Sequence, residues 1–297
     1  MAKSRVARLG AALLLAVSLV ACSPGGGASS APAATTGVDT NAPLYASLPQ
    51  KIKDAKEIQL GGDIAYAPME YYDTDGKTVL GFDKELTDLL SKKVGVPIVW
   101  NNATFDGLIT QLDSGRFDLV MSGMTDTPER QKQVDFVDYY KAGFVMLVQA
   151  GNPQGIKTFD DLCGKTITVQ RGTTQADWAA NKVKTCDAQG KQTQLLQFDH
   201  EPESMLQVQQ GRAAAGLQDY PVAVYNTRES KGKFEVVGEQ NLANPLGIAV
   251  SKKNTQLRDT VQKAVQATID DGRYKQLIDK YQTPQGAIEK ATINGGK

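Results

Sequence analysis

Two stretches of this chain repeat one grammar of strand, loop and helix, and that repetition limits the possible folds more than any other feature. Ile58-Gln59-Leu60 runs into the loop Gly61-Gly62-Asp63. Phe82, Leu86, Leu89 and Leu90 follow at helical spacing, with Asp83 as the expected N-cap and Gly95 before Pro97 as the stop. Ile98-Val99-Trp100 reads as a second strand. Phe105, Leu108, Ile109 and Leu112 form a helical face ended by Ser114-Gly115, and Phe117 to Met121 is a third strand. Strands that are nearly continuous apolar runs, alternating with helices, predict a parallel sheet covered on both faces. The grammar returns at Lys165 to Val169, with a loop through Thr174, a helix from about Ala176 to Val183, a strand at Leu195 to Phe198 and a helix opened by Glu201-Pro202-Glu203. Gly211 echoes Gly115 at an offset of 96 residues, which sets Ser122 against Gln218 and Gly123 against Asp219. The expectation is two related α/β lobes. Ligands of open α/β sheets lie beyond the carboxyl ends of the parallel strands, so two such lobes face each other across a cleft. The chain is expected to cross between them near Phe144 to Val148 and again near Gly247 to Val250. Leu257, Val261, Ala264, Val265 and Ile269, then Tyr274, Leu277, Ile278 and Tyr281, would pack an amphipathic helical segment back on the first lobe. Two extended crossings make a hinge the natural motion.

The start of the chain has another character. Lys3, Arg5 and Arg8 precede an apolar run from Ala11 to Val20, which is too short to span a bilayer and ends in Leu19-Val20-Ala21-Cys22. The pattern is a secretion signal, and its ending resembles the lipobox of bacterial lipoproteins. That resemblance implies cleavage after Ala21 and a lipid on Cys22; an ordinary signal with an incidental Cys is the alternative. Ser23 to about Thr40 is Gly, Ser, Ala, Pro and Thr without apolar periodicity, so it reads as a tether that cannot repay its ordering entropy. The body is then expected outside the cytoplasm, held to the cell membrane. In that compartment Cys163 and Cys186 remain as a pair once Cys22 is acylated, and a disulfide between them is expected, with two buried thiols as the alternative.

Composition removes several classes of function. Hydrophobic residues make up 41% of the 297 residues and charged residues 22%, enough apolar side chain for real cores. Lys and Arg total 33, as do Asp and Glu, and without the leader the balance is mildly acidic. No clustered excess of positive charge is present to release counterions from phosphates, so no nucleic-acid partner is expected. A structural zinc site takes about four Cys or His ligands and a catalytic one about three, more than one histidine and the remaining cysteines supply; no metal and no cofactor are expected. Nor is there a Ser-His-Asp or Cys-His set to assemble from one histidine; His200 reads as a solvated loop histidine, with contact to a ligand as the alternative.

From about Glu57 to Tyr281 the chain resembles the polar-amino-acid family of solute-binding proteins that serve ABC importers. The resemblance is carried by Gly62-Asp63-Ile64-Ala65-Tyr66-Ala67-Pro68, Gly81-Phe82-Asp83, Phe105-Asp106-Gly107-Leu108-Ile109, Ser122-Gly123-Met124-Thr125-Asp126-Thr127-Pro128-Glu129-Arg130, Val134-Asp135-Phe136, Gln170-Arg171-Gly172-Thr173-Thr174 and Gln218-Asp219. It implies a two-lobed, periplasmic-binding-protein type II-like α/β fold joined by a two-strand hinge. The implied lobes are 51–146 plus 247–285 and 147–246, after a signal peptide 1–21 and an anchor and tether 22–50, and before a polar tail 286–297. It also implies the site. Arg130 would clamp the α-carboxylate of a free amino acid with its planar fork, joined from the other lobe by Thr174 at a helix start. Asp219 would accept the α-ammonium, with the Thr125 hydroxyl and carbonyl oxygens near Ser122 and Gly123. Tyr66 and Phe105 would sandwich the side chain, and Asp63 would either meet its distal end or brace the loop. Met69 stands where an aromatic is more usual and Asp126 where the family is usually apolar. The implied partners are a polar L-amino acid and a membrane permease, with the chain a monomer and no enzyme. A cleft enzyme of dehydratase type, using Asp63, Glu70 or Asp219 as acid or base, and a tethered sensor are the rival readings.

Overall fold

The structure is a computed structural model that describes residues 37–297; Cys22, the leader and the first part of the tether lie outside those residues. Helix α1 (Gln50–Ala55) leads into strand β1 (Ile58–Gly62), after which β2 (Ala65–Tyr66), β3 (Glu70–Tyr72) and β4 (Val79–Leu80) form a small antiparallel sheet. Helix α2 (Phe82–Val94), β5 (Ile98–Asn102), α3 (Leu108–Asp113), β6 (Leu119–Val120) and the short α4 (Pro128–Gln131) follow. The long strand β7 (Val134–Gln149) leaves this half of the body. Beyond it come β8 (Thr166–Gln170), α5 (Thr174–Ala188), β9 (Gln194–Phe198), α6 (Glu201–Gln209), β10 (Ala215–Asp219) and α7 (Tyr220–Glu229). The equally long β11 (Phe234–Ser251) returns, and α8 (Thr255–Asp270) and α9 (Arg273–Tyr281) finish the helical cover.

The principal sheet has the order β5-β1-β6-β11-β7-β10-β8-β9. Strand β1 is parallel to β5 and β6, and β8 is parallel to β9 and β10, so each half has the expected parallel strands. The two halves are joined by β7 and β11, antiparallel to each other along nearly their whole length. At about 3.4 Å per residue, 16 and 18 residues reach through both halves.

The join falls a few residues away from the expected crossings. Phe144, Met146 and Val148 sit in the core of the second half and Ile248 and Val250 in that of the first. The register of β11 against β7 shifts between Val237 and Asn241 and again between Asn241 and Asn244, opposite Phe144 and Ala142. The shift marks the boundary, and it falls where β11 turns polar and exposed over Gly238 to Gln240. Two other expectations change. Asp83 is not the cap of α2; Gly81 holds that position and the Asp83 side chain is buried, whereas Gly95 does end the helix in the left-handed region at φ 76°. The expected tether is ordered before residue 50, since Leu48 is buried and the Asp39 N–H donates to the Gly95 carbonyl at 2.8 Å. The expected polar tail is packed as well, with Ala291 buried and Ile293 bridged to Val137.

The terminal helices behave as their periodicity requires: Leu257, Val261, Ala264, Val265, Tyr274, Leu277 and Ile278 are buried in the core of the first half. Cys163 and Cys186 form a disulfide, with Cα atoms 5.1 Å apart, tying the turn after Leu162 to α5 over a sequence separation of 23. Closing a loop of that length removes about 3 kcal/mol of chain entropy from the unfolded state. Replacing both cysteines by Ala should therefore lower the stability of the second half by roughly 2–4 kcal/mol in urea titration, with ligand affinity little changed because neither residue reaches the cleft. An unaltered urea midpoint would mean that the cross-link contributes nothing.

Candidate functional site

The carboxyl ends of the parallel strands from both halves converge. Strand β1 delivers Asp63, β6 delivers Ser122 and Gly123, β8 delivers the loop Arg171-Gly172-Thr173, and β10 ends in Asp219. Tyr66, Phe105, Gly123, Thr125, Arg130, Thr174 and Asp219 line one small cavity between the halves. Seven of the nine residues expected from the sequence thus share a wall. Asp63 and Ser122 stand one layer behind it. Gln170, Thr173 and Gln175 also line the cavity and had been given no role. Gln170 and Thr173 belonged to a quoted motif, but a glutamine one residue into a helix, as Gln175 is, carries no signal of its own.

Arg130 lies on the one-turn helix α4, whose preceding Thr127 caps it by accepting from the Arg130 N–H at 3.3 Å, with Pro128 fixing the first helical φ. Its Nη1 donates to the Thr125 carbonyl at 2.8 Å and its Nη2 to the Gly172 carbonyl of the other half at 2.9 Å. The guanidinium also stands 5.4 Å from the centre of the Phe105 ring. Gly172 takes φ 75°, and a Cβ there would fall 2.6 Å from Asp106 Oδ1, so only glycine lets this carbonyl approach. Asp219 precedes α7 but does not cap it. Its Oδ2 accepts from the Tyr66 hydroxyl at 2.8 Å and its Oδ1 from Gln175 Nε2 at 2.8 Å. Every partner of Arg130 and Asp219 is a neutral dipole; neither group is in an ion pair among the described residues. Burial accordingly lowers Arg130 to about 10 and pushes Asp219 up to about 6, the latter against the opposing pull of the Tyr66 hydrogen bond and the Arg130 charge.

Behind this wall lies an acidic layer. Asp63, 2% exposed, accepts from Gln170 Nε2 at 2.5 Å and from His200 Nδ1 at 2.9 Å, both from the other half. His200 is therefore neither a free loop histidine nor a wall residue: it precedes α6 and holds Asp63 across the cleft. Burial raises the Asp63 pKa, opposed by that imidazole. The Asp63 N–H donates to Ser122 Oγ at 3.0 Å, and Ser122 Oγ donates in turn to Glu70 Oε1 at 2.7 Å. Asp83 accepts from the Tyr139 hydroxyl at 2.8 Å and stands near Glu70. Burial, then the charge of Asp83, drives Glu70 far above the ordinary carboxylate range. Glu201, on the other side, is buried and raised by burial while accepting from the Gln218 amide. The layer makes Ser122 and Gly123 fixed features of the cavity wall rather than a free loop.

A two-lobed α/β body with opposed, desolvated charges at the strand ends defines the class of solute-binding proteins with the periplasmic-binding-protein type II fold. The chain belongs to the bacterial extracellular solute-binding proteins, family 3, which it matches over residues 58–284. It is 28% identical over 253 residues to an arginine-binding protein of Corynebacterium glutamicum, covering 84% of this chain and 82% of the relative. It is 31% identical over 232 residues to an L-cystine-binding protein of Escherichia coli K12, covering 78% and 84%. Among solved structures, an ancestral arginine-binding protein bound to arginine superimposes with a TM-score of 0.71 at 34% identity, covering 76% of this chain and 98% of that one.

The Asp219 shift yields a pH dependence with a definite sign. In the ligand-free cleft Asp219 takes up a proton near 6; a cationic group bound against it holds it ionised. Below that value binding must expel the proton. Affinity for any ligand whose ammonium faces Asp219 should be level above pH 7 and fall about tenfold per pH unit below 6. Calorimetry across pH 4.5 to 8 measures the slope, and a flat profile would show that Asp219 meets no cation.

Proposed function

We propose that this chain captures a polar L-amino acid outside the cytoplasm, closing its two lobes over it, and delivers it to an ABC permease in the membrane to which a lipid on Cys22 tethers it. The observation that carries the reading is the pair of desolvated, unpaired opposite charges, Arg130 and Asp219, in one small cavity. A free amino acid is the ligand that supplies both missing partners at once. Its carboxylate takes the Arg130 fork, supported by Thr174 at the start of α5, where unpaired N–H groups favour an anion. Its ammonium takes Asp219, the Thr125 hydroxyl and a carbonyl oxygen of the Ser122-Gly123 wall. The side chain passes between Tyr66 and Phe105 toward Gln170, with Asp63 behind.

A basic side chain, arginine first, suits the remaining charge best. Once the zwitterion has met Arg130 and Asp219, Asp63 is left as the acidic group behind Gln170, with the His200 imidazole bonded to it. Arginine-binding relatives support that order, and L-cystine is the second candidate. Closure follows from the placement of the clamps on separate halves: Arg130 and Tyr66 belong to the first, Thr174 and Asp219 to the second. Only the closed arrangement makes both sets of contacts, so the ligand's differential affinity shifts the population.

Thermal-shift screening of the mature domain against the twenty amino acids and cystine should give its largest shift with L-arginine. Arg130→Ala should weaken that binding by ~2–5 kcal/mol, because a carboxylate is left in the cleft without its charge partner, while the fold persists. Wild-type affinity in the variant would return Arg130 to an ordinary surface role. Ligand recovered chemically altered after incubation would favour the dehydratase-type reading.

A further inference from the structure

Residues 287–297 lie beyond the family match, yet they form a packed strap along the first half. α8 anchors its base: Gln262 Nε2 donates to the Ala291 carbonyl at 2.9 Å and the Ala291 N–H to Gln266 Oε1 at 3.0 Å. The strap then runs against the start of β7. The Asp138 N–H donates to the Thr292 carbonyl at 2.9 Å, the Asn294 N–H to the Phe136 carbonyl at 3.1 Å, and the Phe136 N–H to Asn294 Oδ1 at 2.8 Å. Asp138 accepts from the Thr292 hydroxyl at 2.5 Å and from the Gly295 N–H at 3.0 Å.

The strap ends on Asp126. This fully buried carboxylate accepts from the Gly296 N–H at 2.8 Å and from Gln131 Nε2 at 2.8 Å, and the same Gln131 amide reaches the Gly296 carbonyl at 3.2 Å. Gly296 lies so close that a Cβ would fall 2.1 Å from the Asp126 carbonyl oxygen. The Asp126 N–H donates to the Pro245 carbonyl of β11 at 2.8 Å. Asp138 lies near as well, pushed up to about 7 by burial and then by the charge of Asp126. Two departures from the family pattern therefore meet: an acid where the family is usually apolar, and a segment outside the family match. They meet beside the clamp, because Asp126 adjoins Thr125, whose carbonyl holds Arg130, and Gln131 adjoins Arg130 itself.

We infer that Asp126 is a positioning residue for ligand capture, through which the strap fixes the Thr125–Arg130 segment and so the placement of the guanidinium. The inference rests on the assignment of Arg130 to the ligand carboxylate, but it has a readout that does not. Hydrogen exchange is followed at the amides of residues 126, 130, 131, 295 and 296, alongside L-arginine calorimetry and ligand-free melting, in wild type, Asp126→Ala, Asp126→Asn and Gly296→Ala. Asp126→Ala and Gly296→Ala should each speed exchange at 126–131 at least tenfold and weaken arginine about tenfold, with melting little changed. The double variant should be no worse than the more affected single one. Asp126→Asn keeps an acceptor for the Gly296 N–H and should restore affinity to within about threefold of wild type. If Asp126→Ala does not fold, a chain ending at Ala291 takes its place. Faster exchange at 295 and 296 with unchanged exchange at 126–131 overturns the inference, as does an affinity loss that merely follows melting. If the wild type binds no amino acid, the reading of the site fails and the exchange data alone decide on the strap.

Discussion

Two ionic groups without counter-ions, Asp219 buried and Arg130 partly so, govern the cleft of this molecule. Removing a carboxylate and a guanidinium from solvent costs several kcal/mol each, and neutral hydrogen bonds return only part of it. Much of the local architecture lowers that cost without cancelling it. Carbonyls of Thr125 and Gly172 face Arg130, the Phe105 ring lies beside it, and Tyr66 and Gln175 donate to Asp219. Replacing these dipoles with an opposite charge inside the protein would stabilise the empty cleft and abolish the reason for a ligand to enter. The site is thus held at an unfavourable point by a frame stable enough to bear it.

That frame is the acidic layer and the sheet together. Glu70 and Asp83, both raised by burial, hold the turn after β6 through Ser122 Oγ and the Gly123 N–H. A lysine in their place would satisfy charge but not geometry, because two carboxyls present several acceptors and one donor to a turn rich in N–H and O–H groups. On the other half the Gln218 amide and Glu201 serve β10 in the same way. The two strand ends that face each other across the cleft are braced from behind by buried carboxyl groups, one set in each half.

The fold and the first layer of the site were largely legible in the sequence. Parallel strands announced themselves as short apolar runs between helices, and Arg130, Thr174 and Asp219 stood in motifs dense enough to assign. What escaped reading depends on contacts between distant residues. Asp63 and His200 are 137 positions apart, and nothing local to either shows that they touch. The boundary between halves was displaced because β7 passes from one core into the other almost wholly buried, so the register shift and the exposed Gly238 to Gln240 stretch of β11 mark it. Residues 286–297 looked like a polar tail because their order comes almost wholly from backbone pairing and from side chains that cap β7, neither of which has a hydrophobic period. Asp63 was read as either meeting the distal end of a ligand or bracing the loop; Gln170, from the opposite half, covers it.

This covering bears on selectivity. A side chain that is to reach Asp63 must displace the Gln170 amide and compete with the His200 imidazole, both already well placed at 2.5 and 2.9 Å. A neutral amide offers Asp63 nothing that Gln170 does not, so it gains little by the exchange. A guanidinium offers two N–H groups in a planar fork together with a full charge, and charge-assisted bidentate bonds are about twice as strong as neutral ones. Tyr66 creates the same condition at the other end, since its hydroxyl must give way to an ammonium at Asp219. The internal hydrogen bonds therefore act as a threshold. Because each carboxylate already accepts from neutral dipoles, a ligand of the proposed kind gains most when it brings charge to both.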